Sequence, residues 1–272
     1  MDRCVLVTGA AGGLGRGTVR HLAQAGWQVF AADLPSPALD ELASTNVVPV
    51  ELDVTDACAV ARGIAEVRRH TDGLDAVVNF AGVLVVGSMI EVPEADLARI
   101  LDINLMGTVR VNQAAFDLVQ ARRGRIVNIS SETGWQTAAP FNGPYAISKH
   151  AIEAYSDALR REAALLGVTV VKVQPGPFRT AMTGGIDRAF ARAAADSTRF
   201  ERLLGRMGRL AARENRKAHD PSELATVIEG ALTEERPRIA YSVRPDRMRS
   251  ALERLPTSVA DRLVVAGLRR LL

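Results

Sequence analysis

The stretch Thr8–Gly17, TGAAGGLGRG, decides how the chain must fold. It continues from CVLVT, a run of β-branched and apolar residues, and leads into LGRGTVRHLAQAG, where apolar positions recur at helical spacing. A strand, a glycine turn and a helix present backbone N–H groups and a positive helix end with no side chain in the way. That is what a pyrophosphate needs. The glycines fit two registers: Gly9, Gly13 and Gly15 read TGxxxGxG, and Gly9, Gly12 and Gly15 read TGxxGxxG. The loop by itself leaves both open.

Outward from the loop, short apolar runs recur at residues 27–33 (WQVFAAD), 47–53 (VVPVELD), 75–82 (DAVVNFAG), 124–131 (GRIVNISS), 168–176 (VTVVKVQPG) and 238–243 (RIAYSV). Segments of helical pattern separate them, the longest from about Pro93 to Arg122 and another from Tyr145 to Leu166. Continuous apolar strands alternating with helices imply a parallel sheet buried on both faces. The expected class is α/β: a doubly wound Rossmann fold of about seven strands with helices on both faces. One domain spans 1–272, with a helical lid at about 181–218, rich in arginine, and a C-terminal helical extension at about 246–272. Asp220-Pro221 reads as a cap and first helical residue.

Composition excludes more than it identifies. The net charge is +3, with basic residues interspersed among acids rather than gathered in an arm, so nucleic acid is not an expected partner. Cys4 and Cys58 have neither disulfide nor metal-ligand spacing, so no metal and a reducing, cytoplasmic setting are expected. The first apolar run is too short for a membrane span. In the extension, Val259, Leu263, Val264, Leu268, Leu271 and Leu272 fall near one helical face, expected to dock on protein rather than on a membrane surface.

The second strand ends in Asp33. A carboxylate there can accept hydrogen bonds from an adenosine ribose and repel a 2′-phosphate, which favours NAD, with NADP as the alternative. Farther along, YAISK places Tyr145 and Lys149 four apart and hence on one helix face. An ammonium beside a phenol predicts a lowered phenol pKa and a usable acid/base.

The motifs TGAAGGLG, NFAG (79–82), Asn104, NISS ending in Ser131, YAISK and PGPFRT occur in one order. In that order and at these separations the chain resembles the shorter branch of the short-chain dehydrogenase/reductase family, over about Met1 to Thr180. The resemblance implies the TGxxxGxG register, with Thr8, Gly9, Gly13, Leu14 and Gly15 on the phosphates. It implies Tyr145 as general acid/base, and Lys149 as its partner and a ligand of the nicotinamide ribose. Ser131 would hold the reacting oxygen, and Asn104 a kinked helix and a water that contacts Lys149. Asp53 and Val54 would touch adenine; Asn79, Ala81 and Gly82 would line the adenine-ribose side; Pro175, Gly176 and Thr180 would border the nicotinamide. Phe80 departs from the family's second Asn, and the interval from Ser131 to Tyr145 is one residue longer than the family's usual spacing, which leaves Ser130 as a substitute. A homodimer or homotetramer is implied.

Loops beyond the strand ends bring Val83, Trp135, Phe141, Phe178 and Met182 to the expected pocket, so an apolar secondary alcohol or ketone, steroid-, retinoid- or alicyclic-like, is the expected substrate. An NADPH-dependent carbonyl reductase and a dinucleotide-sensing protein without chemistry are the alternatives.

Overall fold

The computed structural model describes residues 3–180, 184–216 and 218–272. Among them, seven parallel strands form one sheet: β1 (Cys4–Thr8), β2 (Gln28–Asp33), β3 (Val47–Glu51), β4 (Ala76–Asn79), β5 (Arg125–Ile129), β6 (Thr169–Pro175) and β7 (Ala240–Val243), in the order β3-β2-β1-β4-β5-β6-β7. The order reverses between β1 and β4, and in an open α/β sheet the crevice for a ligand lies outside the strand ends at such a reversal.

Period-two alternation builds a core on each face. Val5, Val7, Val29, Ala31, Val78 and Val171 point to one side, where Val19 and Leu22 of α1 (Gly13–Gln24) and Leu224 and Ile228 of α9 (Pro221–Thr233) cover them. Leu6, Phe30, Val77, Ile126 and Val170 point to the other, against α3 (Ala57–Arg68) and α5 (Gly107–Ala121). A four-residue helix, α2 (Pro37–Asp40), follows β2.

The long helical stretch expected at 93–122 is present with an interruption. α4 (Glu94–Leu101) passes into a π turn, Asp102–Met106, before α5 begins. The extra residue per turn re-aims Asn104 toward the sheet end. α6 (Gly143–Ala164) carries YAISK, and Asp220 caps α9 through the Ser222 N–H.

The lid region forms α7 (Ile186–Asp196) and α8 (Glu201–Asn215), which build a third small core with Leu84, Val86 and Phe141. The extension forms α10 (Arg247–Leu252) and α11 (Thr257–Arg269). The expectation that its apolar face docks on protein is met only in part: Val264 and Leu268 are half-covered, while Val259 and Leu263 stay 40% and 54% exposed. Among the described residues no helix is long and apolar enough to cross a membrane.

Candidate active site

The glycine loop shows which positions cannot carry a side chain. Gly9 has φ +66°, and a Cβ there would stand 2.7 Å from the Ala81 nitrogen. At Gly15 a Cβ would meet the Gly9 carbonyl oxygen at 2.1 Å, and at Gly13 it would meet the Thr180 side chain at 2.9 Å. Gly12 is the exposed N-cap of α1 with ordinary extended angles, and its Cβ would find a looser 3.2 Å contact. The steric demand therefore falls on TGxxxGxG. No side chain caps α1 and no acid lies in its first turn, so its positive end is left to a ligand. An open helix end over a cradle that any Cβ would fill fits a dinucleotide pyrophosphate.

Asp33 sits half-buried at the end of β2. Its Oδ2 accepts the Ala11 N–H at 2.8 Å and its Oδ1 accepts that of Leu34 at 2.8 Å, so the carboxylate is held against the glycine loop. Arg16 of α1 is paired with Glu41 at 2.7 Å. Asp53 accepts from the backbone N–H and hydroxyl of Thr55, ordering the turn into α3. Val54 packs so closely on α5 that a Cβ at Gly107 would come within 2.7 Å of it. On the opposite side Pro175 ends β6, and Gly176 donates to the Val243 carbonyl where a Cβ would strike the Arg244 oxygen at 2.0 Å.

Tyr145 and Lys149 lie on the first turns of α6. Lys149 Nζ is 5.7 Å from the Tyr145 ring centroid and donates to the Ile129 carbonyl at 2.8 Å. The Ser131 hydroxyl hydrogen-bonds the phenol, whereas Ser130 Oγ faces the Lys149 carbonyl at 3.5 Å. The longer loop thus leaves Ser131, not Ser130, on Tyr145. The electrostatics reverse one expectation, because burial pushes the phenol up to about 12; the Ser131 hydrogen bond opposes this and the Glu132 charge adds to it. Burial also pulls Lys149 down to about 8, against the effect of Glu153. The physical reason is desolvation: both groups leave water, and the ammonium is directed to a backbone carbonyl under the ring instead of to the hydroxyl.

Asn104 is 1% exposed and holds the neighbouring loop from both sides. Its Oδ1 accepts the Val83 N–H at 2.8 Å, and its Nδ2 donates to the Val83 carbonyl and to Ser148 Oγ, each at 3.0 Å. Ser148 in turn donates to the Tyr145 carbonyl at 2.8 Å. The carboxamide therefore ties loop to helix. Ser148, inside YAISK, was a missed positioning residue; its small side chain between Tyr145 and Lys149 is the signal that marks it.

Two other side chains, those of Asn79 and Phe178, are turned into the interior. The Asn79 carboxamide points inward, donating to Asn112 Oδ1 at 2.7 Å and Asn128 Oδ1 at 3.0 Å, so its side chain belongs to an interior network. Ala81 and Gly82 stay on the loop beside Gly9 and Asn104. Phe178 is 1% exposed, its ring 6.0 Å from His219 and packed in the same core as Leu224, because the chain after Gly176 turns back over the sheet end; it does not line a pocket. Met182 lies outside the described residues. Val83 is held by Asn104, Phe141 lies against Phe200, and Trp135 is 40% exposed. Among the described residues no cluster of His, Cys, Asp or Glu could hold a metal.

The family model for short chain dehydrogenases matches residues 3–190. The chain belongs to the short-chain dehydrogenase family. This dehydrogenase is 33% identical to Retinol dehydrogenase 16 of Mus musculus, over 97% of its own length and 88% of that protein's. It is 34% identical to 17-beta-hydroxysteroid dehydrogenase type 6 of Rattus norvegicus, over 99% and 90%. A variant actinorhodin polyketide ketoreductase with NADPH shares its fold at TM-score 0.76 and 28% identity, over 89% of this chain and 95% of that one. The dehydrogenase is an NAD(P)-dependent oxidoreductase acting on CH–OH groups, which sets aside the alternative of a sensing protein without chemistry.

Proposed function

We propose that the enzyme oxidises an apolar, ring-bearing alcohol with NAD, Tyr145 moving the proton. The observation that carries this is Tyr145 hydrogen-bonded to Ser131, just past the end of β5, with the Lys149 ammonium 5.7 Å from its ring centroid. When bound, the dinucleotide supplies the hydride acceptor. Ser131 orients the substrate oxygen and favours the phenolate, and Tyr145 removes the hydroxyl proton. Lys149, held by the Ile129 carbonyl, keeps a positive charge under the ring while protonated. The preference for NAD rests on Asp33, anchored where a 2′-phosphate would approach, and on Arg16 being engaged by Glu41. The apolar substrate is supported by Val83 and Phe141 at the site and by the retinol and hydroxysteroid for which two relatives are named.

NADPH-dependent reduction of a ketone has one observation in its favour: a phenol held near 12 is protonated at neutral pH, the form that must donate to a carbonyl. Titrating NADH and NADPH separately into the wild type and Asp33→Ala separates the two. Tighter NADH binding that weakens about tenfold or more on losing one hydrogen bond to a charged group supports the first reading. Tighter NADPH binding by the wild type would overturn it.

A further inference from the structure

A single carboxylate outside the catalytic group fastens the lid. Glu91 lies in the turn after the loop that Asn104 pins at Val83, and its side chain is 12% exposed. Its Oε2 accepts the Ser197 hydroxyl at 2.5 Å. Its Oε1 accepts the Thr198 N–H at 3.1 Å, the Thr198 hydroxyl at 2.8 Å and the Arg199 N–H at 3.0 Å, with the Arg199 guanidinium at 3.5 Å. These donors come from three consecutive residues, those that join α7 to α8. No side chain from Phe200 caps α8, so the carboxylate also meets the positive end of that helix.

The contact continues into the site. Ser197 Oγ accepts the Phe200 N–H at 2.9 Å, and the Phe200 ring packs edge-on against Phe141 at 5.3 Å. Phe141, at φ +64°, accepts the Gly87 N–H at 2.8 Å from the same loop that carries Glu91. Between this loop and α7 lies a cleft of about 100 Å³, lined by Val86 and Ser88 on one side and Ala189 and Ala193 on the other. Leu84 and Val86 of the loop pack with Ala189 and Ala193 of α7, and beyond them the Glu91 clamp and the Phe141–Phe200 pair tie the loop to the α7–α8 junction. The Ser197 bond, first among these contacts, holds the Glu91 carboxyl down at about 2, so the clamp is charged throughout the physiological range.

We infer that Glu91 is a positioning residue which sets the lid over the substrate and thereby selects for bulky, ring-bearing alcohols. The inference rests on the alcohol-oxidising reading above. A side chain that only glued two surface segments together would, when lost, affect all substrates alike; a lid latch affects those that reach the lid.

The test compares wild type, Glu91→Ala and Glu91→Gln on a hydroxysteroid, androsterone, and on cyclohexanol. In Glu91→Ala, KM for androsterone is expected to rise about tenfold or more, as for the loss of hydrogen bonds to a charged group. Its kcat, the cyclohexanol parameters and NADH affinity are expected to stay within about twofold. Glu91→Gln, which keeps an acceptor for the Thr198 and Arg199 N–H groups, recovers most of the androsterone KM. Equal losses on both alcohols, or an unchanged androsterone KM, would overturn the inference. Hydrogen exchange gives a readout independent of turnover: amides of 197–204 are expected to exchange faster in Glu91→Ala while those of β1 and α1 do not. If the wild type oxidises neither alcohol, the functional reading fails and exchange alone decides the latch; unchanged exchange at 197–204 refutes it.

Discussion

Besides burial, two groups act on the proton of Tyr145, Ser131 and Glu132, and each can be removed separately. Burial and the Glu132 charge raise its pKa and the Ser131 hydrogen bond lowers it. Alcohol oxidation needs the phenolate, so its rate should climb with pH as the phenol ionises. Ser131→Ala should move that limb to higher pH and Glu132→Gln to lower pH, read from kcat/KM for oxidation against pH; opposite or absent movements would detach Tyr145 from the profile. Tyr145→Phe should lower kcat about 10²- to 10⁴-fold, with the dinucleotide Kd from fluorescence titration unchanged. These residues could be found in the sequence because Tyr145 and Lys149 share a helix turn and Ser131 ends a strand. Their electrostatics could not, because desolvation depends on what the rest of the chain packs around them.

At the level of elements, the π turn at Asp102–Met106 joins the substrate loop to the catalytic helix through Asn104. Replacing Asn104 by Leu leaves both Val83 backbone groups without their partner and should destabilise the fold by about 2–4 kcal/mol, measured by urea denaturation. It should also raise KM, since Val83 begins the loop. Strand and helix positions followed from apolar periods of two and of 3.6. The π turn left no such trace, because it costs the pattern only one residue. Glu91 was equally hidden: its partner Ser197 is 106 residues away, and no local spacing connects a turn glutamate to a helix junction that distant.

For the whole molecule, the C-terminal arm, which the sequence reads as a helical extension docked on protein, reaches the turn beside the candidate site. Glu132 accepts the Asp246 N–H at 2.6 Å and pairs with Arg249 at 3.6 Å, while Thr137 donates to Glu253 at 2.8 Å. The arm so braces the turn that follows Ser131. Arg249→Ala should lower Tm by about 2–6 °C, the effect of 1–2 kcal/mol in a domain of this size, and lower kcat more than cofactor affinity, checked by calorimetry and steady-state kinetics. The interior amides carry a different consequence. Asn79, Asn112, Asn128, Tyr155 and Ser156 are joined by hydrogen bonds spanning 16 to 49 residues of chain, through β4, β5, α5 and α6. Such a network closes only after all four elements have assembled, so it stabilises the native state without helping to nucleate it. Its worth is then measured in time: a chain lacking Asn128 should collapse and fold at nearly the usual speed, yet come apart sooner.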